Sequence, residues 1–133
     1  LWSGANDTLR EKRGGDYPRD TFRHEQDLLI TENGRTALFA GCAHCGIVNI
    51  LKSAEDVLGR APDAVFAGFH LYNPSLGKSE PDELVDAVGE KLREDKTAHY
   101  FTGHCTGKEA YTRLKAKLGA RLGEMPAGAD FTL

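Results

Sequence analysis

Three times in this chain a short apolar run ends in a turn that holds a glycine and a histidine. Thr36-Ala37-Leu38-Phe39-Ala40 leads into Gly41-Cys42-Ala43-His44, Asp63-Ala64-Val65-Phe66-Ala67 into Gly68-Phe69-His70, and Thr97-Ala98-His99-Tyr100-Phe101-Thr102 into Gly103-His104. Runs of this length and composition, bounded by glycine, read as strands. Ligands of open α/β sheets bind beyond the carboxyl ends of the strands. Three histidines that each lie just past a strand end can therefore converge although they are far apart in sequence. The adjacent glycines let the backbone come close to a metal or a substrate.

The segments between these turns carry helical periods. Ile47, Ile50, Leu51, Ala54, Val57 and Leu58 recur at three- and four-residue steps, and Gly59 supplies a stop. A second helix is expected from Ser79 as N-cap, with Pro81 in its first turn, ahead of Leu84, Val85, Val88 and Leu92. A third runs from about Gly107 to Leu118, where Thr106 and Glu109 form a capping-box pattern. Before the first turn, Asp27 to Thr31 is β-like and Asn33-Gly34 is a hairpin signal. A short strand near Arg121-Leu122-Gly123 completes the pattern. The order hairpin, helix, strand, helix, strand, helix is that of an α/β layered domain whose helices cover a sheet. Residues 1–24 are rich in Gly, Asp and Arg without an apolar period and read as a polar arm or loop, so the domain proper is expected over residues 25–133.

With 133 residues the chain is long enough for one core. Its formal charge of −3 supplies no broad positive field, so nucleic acid is not expected as a partner. No apolar run approaches the roughly 18 residues of a membrane span, and a soluble, cytoplasmic protein is expected. The absence of an initiator Met at Leu1 reads as a fragment or processed chain.

Neutral imidazole is a good donor to zinc, and a catalytic zinc takes about three protein ligands while keeping one position open. His44, His70 and His104 are therefore the candidate metal ligands, while His24 in the arm and His99 inside a strand are read as ordinary residues. The three cysteines, Cys42, Cys45 and Cys105, are too few and too clustered for a disulfide framework. They support a rival reading, a small metal- or thiol-binding module built on the Cys42-x-x-Cys45 spacing with Cys105. Thiols packed beside the cleft, with no disulfide, are the expectation of the first reading.

The stretches Gly41-Cys42-Ala43-His44-Cys45-Gly46-Ile47-Val48-Asn49-Ile50, Gly68-Phe69-His70-Leu71 and Thr102-Gly103-His104-Cys105-Thr106-Gly107 together resemble the metallo-β-lactamase superfamily, in a branch that includes dihydropterin ribofuranosylaminobenzene phosphate synthases. The resemblance runs from about His24 to Leu118. It implies half of an αββα sandwich, a mixed sheet with flanking helices, from a metal-dependent hydrolase-like protein that acts on a small-molecule substrate. It implies a divalent metal, zinc first, with iron and manganese as alternatives. On the resemblance His44 matches the ligand that follows the hairpin and His104 the last ligand. His70 stands where many members carry a metal-bridging Asp, so it binds a single ion or serves as a neighbouring acid/base group. The superfamily's His-x-His-x-Asp-His motif is absent from this chain. No catalytic residue is assigned, and the chain alone is expected to be a weak catalyst or none. A half-sandwich leaves one sheet face to be covered, by a second copy of the chain or by a missing amino-terminal half.

Overall fold

Asn33 and Gly34 sit at φ 49° and 78°, the left-handed pair that reverses a chain in two residues with the twist of the flanking strands. In the computed structural model, which describes residues 3–133, they join β1 (Asp27–Glu32) to β2 (Arg35–Ala40) in antiparallel register from Asp27 opposite Ala40 to Glu32 opposite Arg35. The chain then continues through α1 (Ile47–Leu58), β3 (Ala64–Ala67), β4 (Tyr72–Asn73), β5 (Lys78–Ser79), α2 (Asp82–Glu94), β6 (His99–Thr102), α3 (Lys108–Leu118) and β7 (Leu122–Glu124). The main sheet has the order β1-β2-β3-β6-β7, and β4 and β5 form a separate small hairpin. Within the main sheet the β2–β3, β3–β6 and β6–β7 pairings are parallel.

This order places the helices. Each parallel crossover steps one way along the sheet, and crossovers are right-handed, so all three helices must lie on the same face. Alternation along the strands then sends Leu38, Ala40, Val65, Ala67, Tyr100 and Leu122 into one core with Ile47, Ile50 and Leu51 of α1, Val85, Val88 and Leu92 of α2, and Ala110, Leu114 and Leu118 of α3. The result is a mixed α/β layer with a mostly parallel sheet. The opposite face carries a ladder of stacked rings, Phe39 on Phe66 at 4.9 Å and Phe66 on Phe101 at 4.8 Å. The tail covers part of it through Met125 and Phe131, while Leu28 and Ile30 stay exposed.

α1 occupies the span its period predicts, and Gly59 ends it at φ 70° with its N–H on the Glu55 carbonyl. Val57, counted in that period, is 77 % exposed because it falls beyond the buried stripe. Two caps expected from sequence are not made. Ser79 lies in β5, where its hydroxyl donates to the Glu109 carboxylate, and α2 starts after Pro81 without a side-chain cap. Asp82 and Glu83 in its first turn and Lys91 and Arg93 in its last complement the helix dipole instead. Thr106 accepts from the Phe69 N–H and shares a hydrogen bond with Thr102, so α3 begins at Gly107 uncapped. Gly107 is required there: it sits at φ 78°, and a Cβ would lie 2.6 Å from that of Tyr72.

The arm is more structured than its polarity suggests. Gly4–Thr8 forms a 3-10 turn capped by Ser3, and isolated bridges pair Arg10 with Arg19 and Arg13 with Asp16. Ala5, Asn6 and Phe22 are buried. Leu1 and Trp2 of that arm lie outside the described residues. Among the described residues no helix is long and apolar enough to cross a membrane.

Candidate metal centre

The carboxyl ends of β2, β3 and β6 lie side by side in the sheet, and each is followed by a residue forced into left-handed backbone. Ala43, His70 and His104 have φ of 53°, 47° and 51°. Non-glycine residues in this region store strain of order 1–3 kcal/mol each and cluster at functional sites. The turns throw His44 and His70 together, with ring centroids 4.1 Å apart and planes tilted by 56°.

Asn6 and Phe22 of the arm, with Glu25 just after it, hold His44 on several sides. Its ring stacks on Phe22 at 4.3 Å with an interplanar angle of 1°. Its Nδ1 lies 2.9 Å from Asn6 Oδ1, and its carbonyl accepts from Asn6 Nδ2 at 2.8 Å. The two carboxylate oxygens of Glu25 accept from the backbone N–H groups of His44 and Cys45, each at 2.7 Å. Burial lowers the pKa of His44, against the opposing pull of Glu25 and Asp20.

His70 is 6 % exposed, and neither ring nitrogen has a hydrogen-bond partner. Its pKa is pushed down to about 4, by burial first and then by the neighbouring His44, while the Ala5 backbone favours the charged form from outside hydrogen-bond geometry. Its carbonyl accepts from the Ser3 hydroxyl at 2.6 Å, so the arm grips the second turn as well. His104 is exposed and opens the 3-10 turn His104–Thr106. It is near enough that its charge disfavours charge on His70. It lines a cleft of about 290 Å³ with Lys108, Tyr111, Glu124 and Met125. A larger cleft, about 670 Å³, lies between α1 and α2 away from all three imidazoles and is lined by residues of both charge signs. His24 is exposed beside the Asp20 carboxylate at 3.8 Å, and His99 is exposed on β6.

All three cysteines are free. Cys45 points at the Phe22 carbonyl, whereas Cys105 lies against Cys42, so Cys42 and Cys45 do not act as a pair. Burial pushes the Cys45 thiol up to about 11, helped by Glu25, and the Cys105 thiol up to about 12, helped by Cys42. Both environments favour the neutral thiol over the thiolate that reactivity and ligation require.

Among the described residues no three His, Cys, Asp or Glu side chains are gathered closely enough to hold a metal ion by themselves. What is present nonetheless fits one. Buried polar atoms are almost always hydrogen-bonded, so a buried imidazole with both nitrogens unpartnered, touching a second imidazole, is a donor set lacking its acceptor. Sequence reasoning found the imidazoles but missed Asn6, Phe22 and Glu25. Their only signal was the occurrence of short polar and aromatic residues in a segment without a period.

No family model matches the chain. Over 103 residues it is 28% identical to the 7,8-dihydropterin-6-methyl-4-(β-D-ribofuranosyl)-aminobenzene-5'-phosphate synthase of Methanocaldococcus jannaschii, covering 77% of this chain and 33% of that protein. Its fold superposes on the crystal structure of a metal-dependent hydrolase of the β-lactamase superfamily with a TM-score of 0.79 at 22% identity, covering 98% of this chain and 51% of the other. The chain thus spans about a third of the curated relative and about half of the solved structure. Similarity in sequence to the one and in fold to the other together support the family that the three motifs resemble, the metallo-β-lactamase superfamily.

Proposed function

We propose that this chain carries one share of a metal-dependent, hydrolase-like centre, in which His44, His70 and His104 bind a divalent ion and zinc suits the imidazole donors best. The observation that carries the reading is His70, buried with both ring nitrogens unpartnered and its ring against that of His44. Its burial keeps the imidazole neutral, as coordination requires. Held by these imidazoles, a divalent ion would supply Lewis-acid polarisation of a scissile group and would lower the pKa of a water towards about 7. The chain's own contribution is to orient His44 from the arm, to exclude water from His70, and to present His104 at the mouth of the cleft. A small-molecule substrate lies in that cleft, where Lys108 supplies positive charge and Tyr111 a hydroxyl. The remaining ligands come from a segment that bears the His-x-His-x-Asp-His motif, attached to this chain or associated with it.

Zinc titration of the metal-free protein by calorimetry tests the reading. Expected is weak binding of a single ion that is lost in His44→Ala and His70→Ala and kept when Cys42, Cys45 and Cys105 are all replaced by alanine. Absence of binding, or binding lost only with the cysteines, would overturn it, and the second result would establish the thiol module instead.

A further inference from the structure

Asn6 lies in the polar arm and is fully buried. Its two hydrogen bonds to His44 determine each other. The Nδ2 end is 2.8 Å from the His44 carbonyl, which can only accept, so this end of the amide must be the nitrogen. The Oδ1 end is then the one 2.9 Å from His44 Nδ1, and an amide oxygen can only accept. The proton of the neutral imidazole must therefore sit on Nδ1. A flipped amide would set its oxygen against the His44 carbonyl oxygen at hydrogen-bond distance, two acceptors with no proton between them. Nε2 is left with a free lone pair.

We propose that Asn6 is a positioning residue that fixes His44 as the Nδ1–H tautomer and so makes Nε2 available as the donor atom. The point of doing so rests on the reading of His44 as a metal ligand, whereas the tautomer itself does not. Free histidine in water prefers the opposite tautomer, with the proton on Nε2, which would block that nitrogen. The proton position on a ligating imidazole is set by the hydrogen bond its other nitrogen makes.

The geometry around Asn6 is that of a fixed support. Its backbone carbonyl accepts from Leu9, its N–H donates to the Ser3 carbonyl, and the Ser3 side chain accepts from Ala5. The same Ser3 hydroxyl reaches the His70 carbonyl, and Asn73 donates to the Ala5 carbonyl. One 3-10 turn therefore grips both imidazole-bearing loops, while Phe22 closes a face of the His44 ring. The side chain at this position needs a donor and an acceptor at asparagine's length. Aspartate supplies the acceptor alone, and alanine supplies neither.

Long-range proton–nitrogen correlation spectra of ¹⁵N-labelled, metal-free full chain decide the matter at about pH 8, where an ordinary imidazole is neutral. Expected for His44 is a proton-bearing Nδ1 and a bare Nε2, with assignment by His44→Gln. Exposed His99 serves as an internal reference for the solution tautomer. Asn6→Ala is expected to return His44 to the Nε2–H form, and Asn6→Asp to keep Nδ1–H. An Nε2–H signal for His44 in the wild type would overturn the proposal outright, even if Asn6→Ala failed to fold. So would an unchanged Nδ1–H signal in folded Asn6→Ala. Zinc added to the same samples separates this from the underlying reading. Expected is loss of the bare Nε2 signal, with affinity about 10- to 100-fold weaker in Asn6→Ala. If zinc leaves the His44 signals untouched, the metal-ligand reading fails while the tautomer assignment stands.

Discussion

Gly68 sits where the ends of β2, β3 and β6 meet, and alanine there should be resisted by one particular atom. A Cβ built on Gly68 falls 2.6 Å from Cys105 Sγ, with Gly41 O at 3.4 Å and Cys42 Cα at 3.5 Å around it. Non-bonded carbon atoms rest at roughly 3.5–4.0 Å, so the methyl intrudes on the sulfur by about 1 Å. It cannot retreat, because the surrounding atoms are backbone and the Gly68 N–H is committed to the Gly41 carbonyl at 2.8 Å. Cys105 has a single side-chain torsion and packs against Cys42. Overpacking of this kind costs about 1–3 kcal/mol, which lowers the urea midpoint on the order of 1 M for a domain of this size. The informative assay is a cycle over wild type, Gly68→Ala, Cys105→Ala and the double variant by urea denaturation. Removing the sulfur should abolish most of the cost, a coupling of about 1–3 kcal/mol between the two positions. A Gly68→Ala protein as stable as wild type, or one equally destabilised in both cysteine backgrounds, would refute the steric argument.

Replacing Glu25 by Gln removes a charged acceptor from two backbone N–H groups and should cost about 1–3 kcal/mol, read as faster hydrogen exchange at the His44 and Cys45 amides. Leu114 is fully buried at the centre of the helical face, so Leu114→Ala should lose about 2–5 kcal/mol in thermal or chemical unfolding. The Asp63 carboxyl is held below its usual pKa by the Thr36 N–H first and then by Arg60. Its contribution is therefore fully present above the unfolded value of about 3.9 and disappears as pH falls through the folded value. Asp63→Asn should accordingly flatten the acid limb of the stability–pH curve and leave its slope near pH 7 unchanged. Unfolded, non-reduced protein should titrate with three thiols per chain, one for each free cysteine, and a count of one would reveal a disulfide.

What sequence made legible followed from periodicity and backbone permission. The buried stripe Ile47, Ile50, Leu51 and Ala54, the stop at Gly59, and the Asn33-Gly34 reversal each announce themselves within a few residues. The three Gly-His turns were legible for the same reason, since a strand, a glycine and a histidine in succession make a local pattern. Ser79 and Thr106 were misread because a cap is one of several uses for a hydroxyl. Partners distant in sequence, Glu109 for one and Phe69 for the other, claimed them. Asn6, Phe22 and Glu25 left no pattern because each acts singly across a long stretch of chain. Their neighbours Arg10, Arg13 and Arg19 give the segment a polarity that masks its few buried members.

The arm's contacts also bear on which part of the molecule opens first. Ser3 meets His70 and Glu80 across 67 and 77 positions, and Asn6 meets His44 across 38. Each closure fixes a long stretch of chain, while the arm returns little apolar burial beyond Ala5 and Phe22. The sheet and its helices gain their own cohesion from steps of one crossover at a time. Segments with few buried apolar contacts open at lower free energy than the core. The grip on the histidine pair is therefore expected to open at lower free energy than the layer that carries it, read as faster hydrogen exchange at the Asn6 and Leu9 amides than at those of β2 and β3.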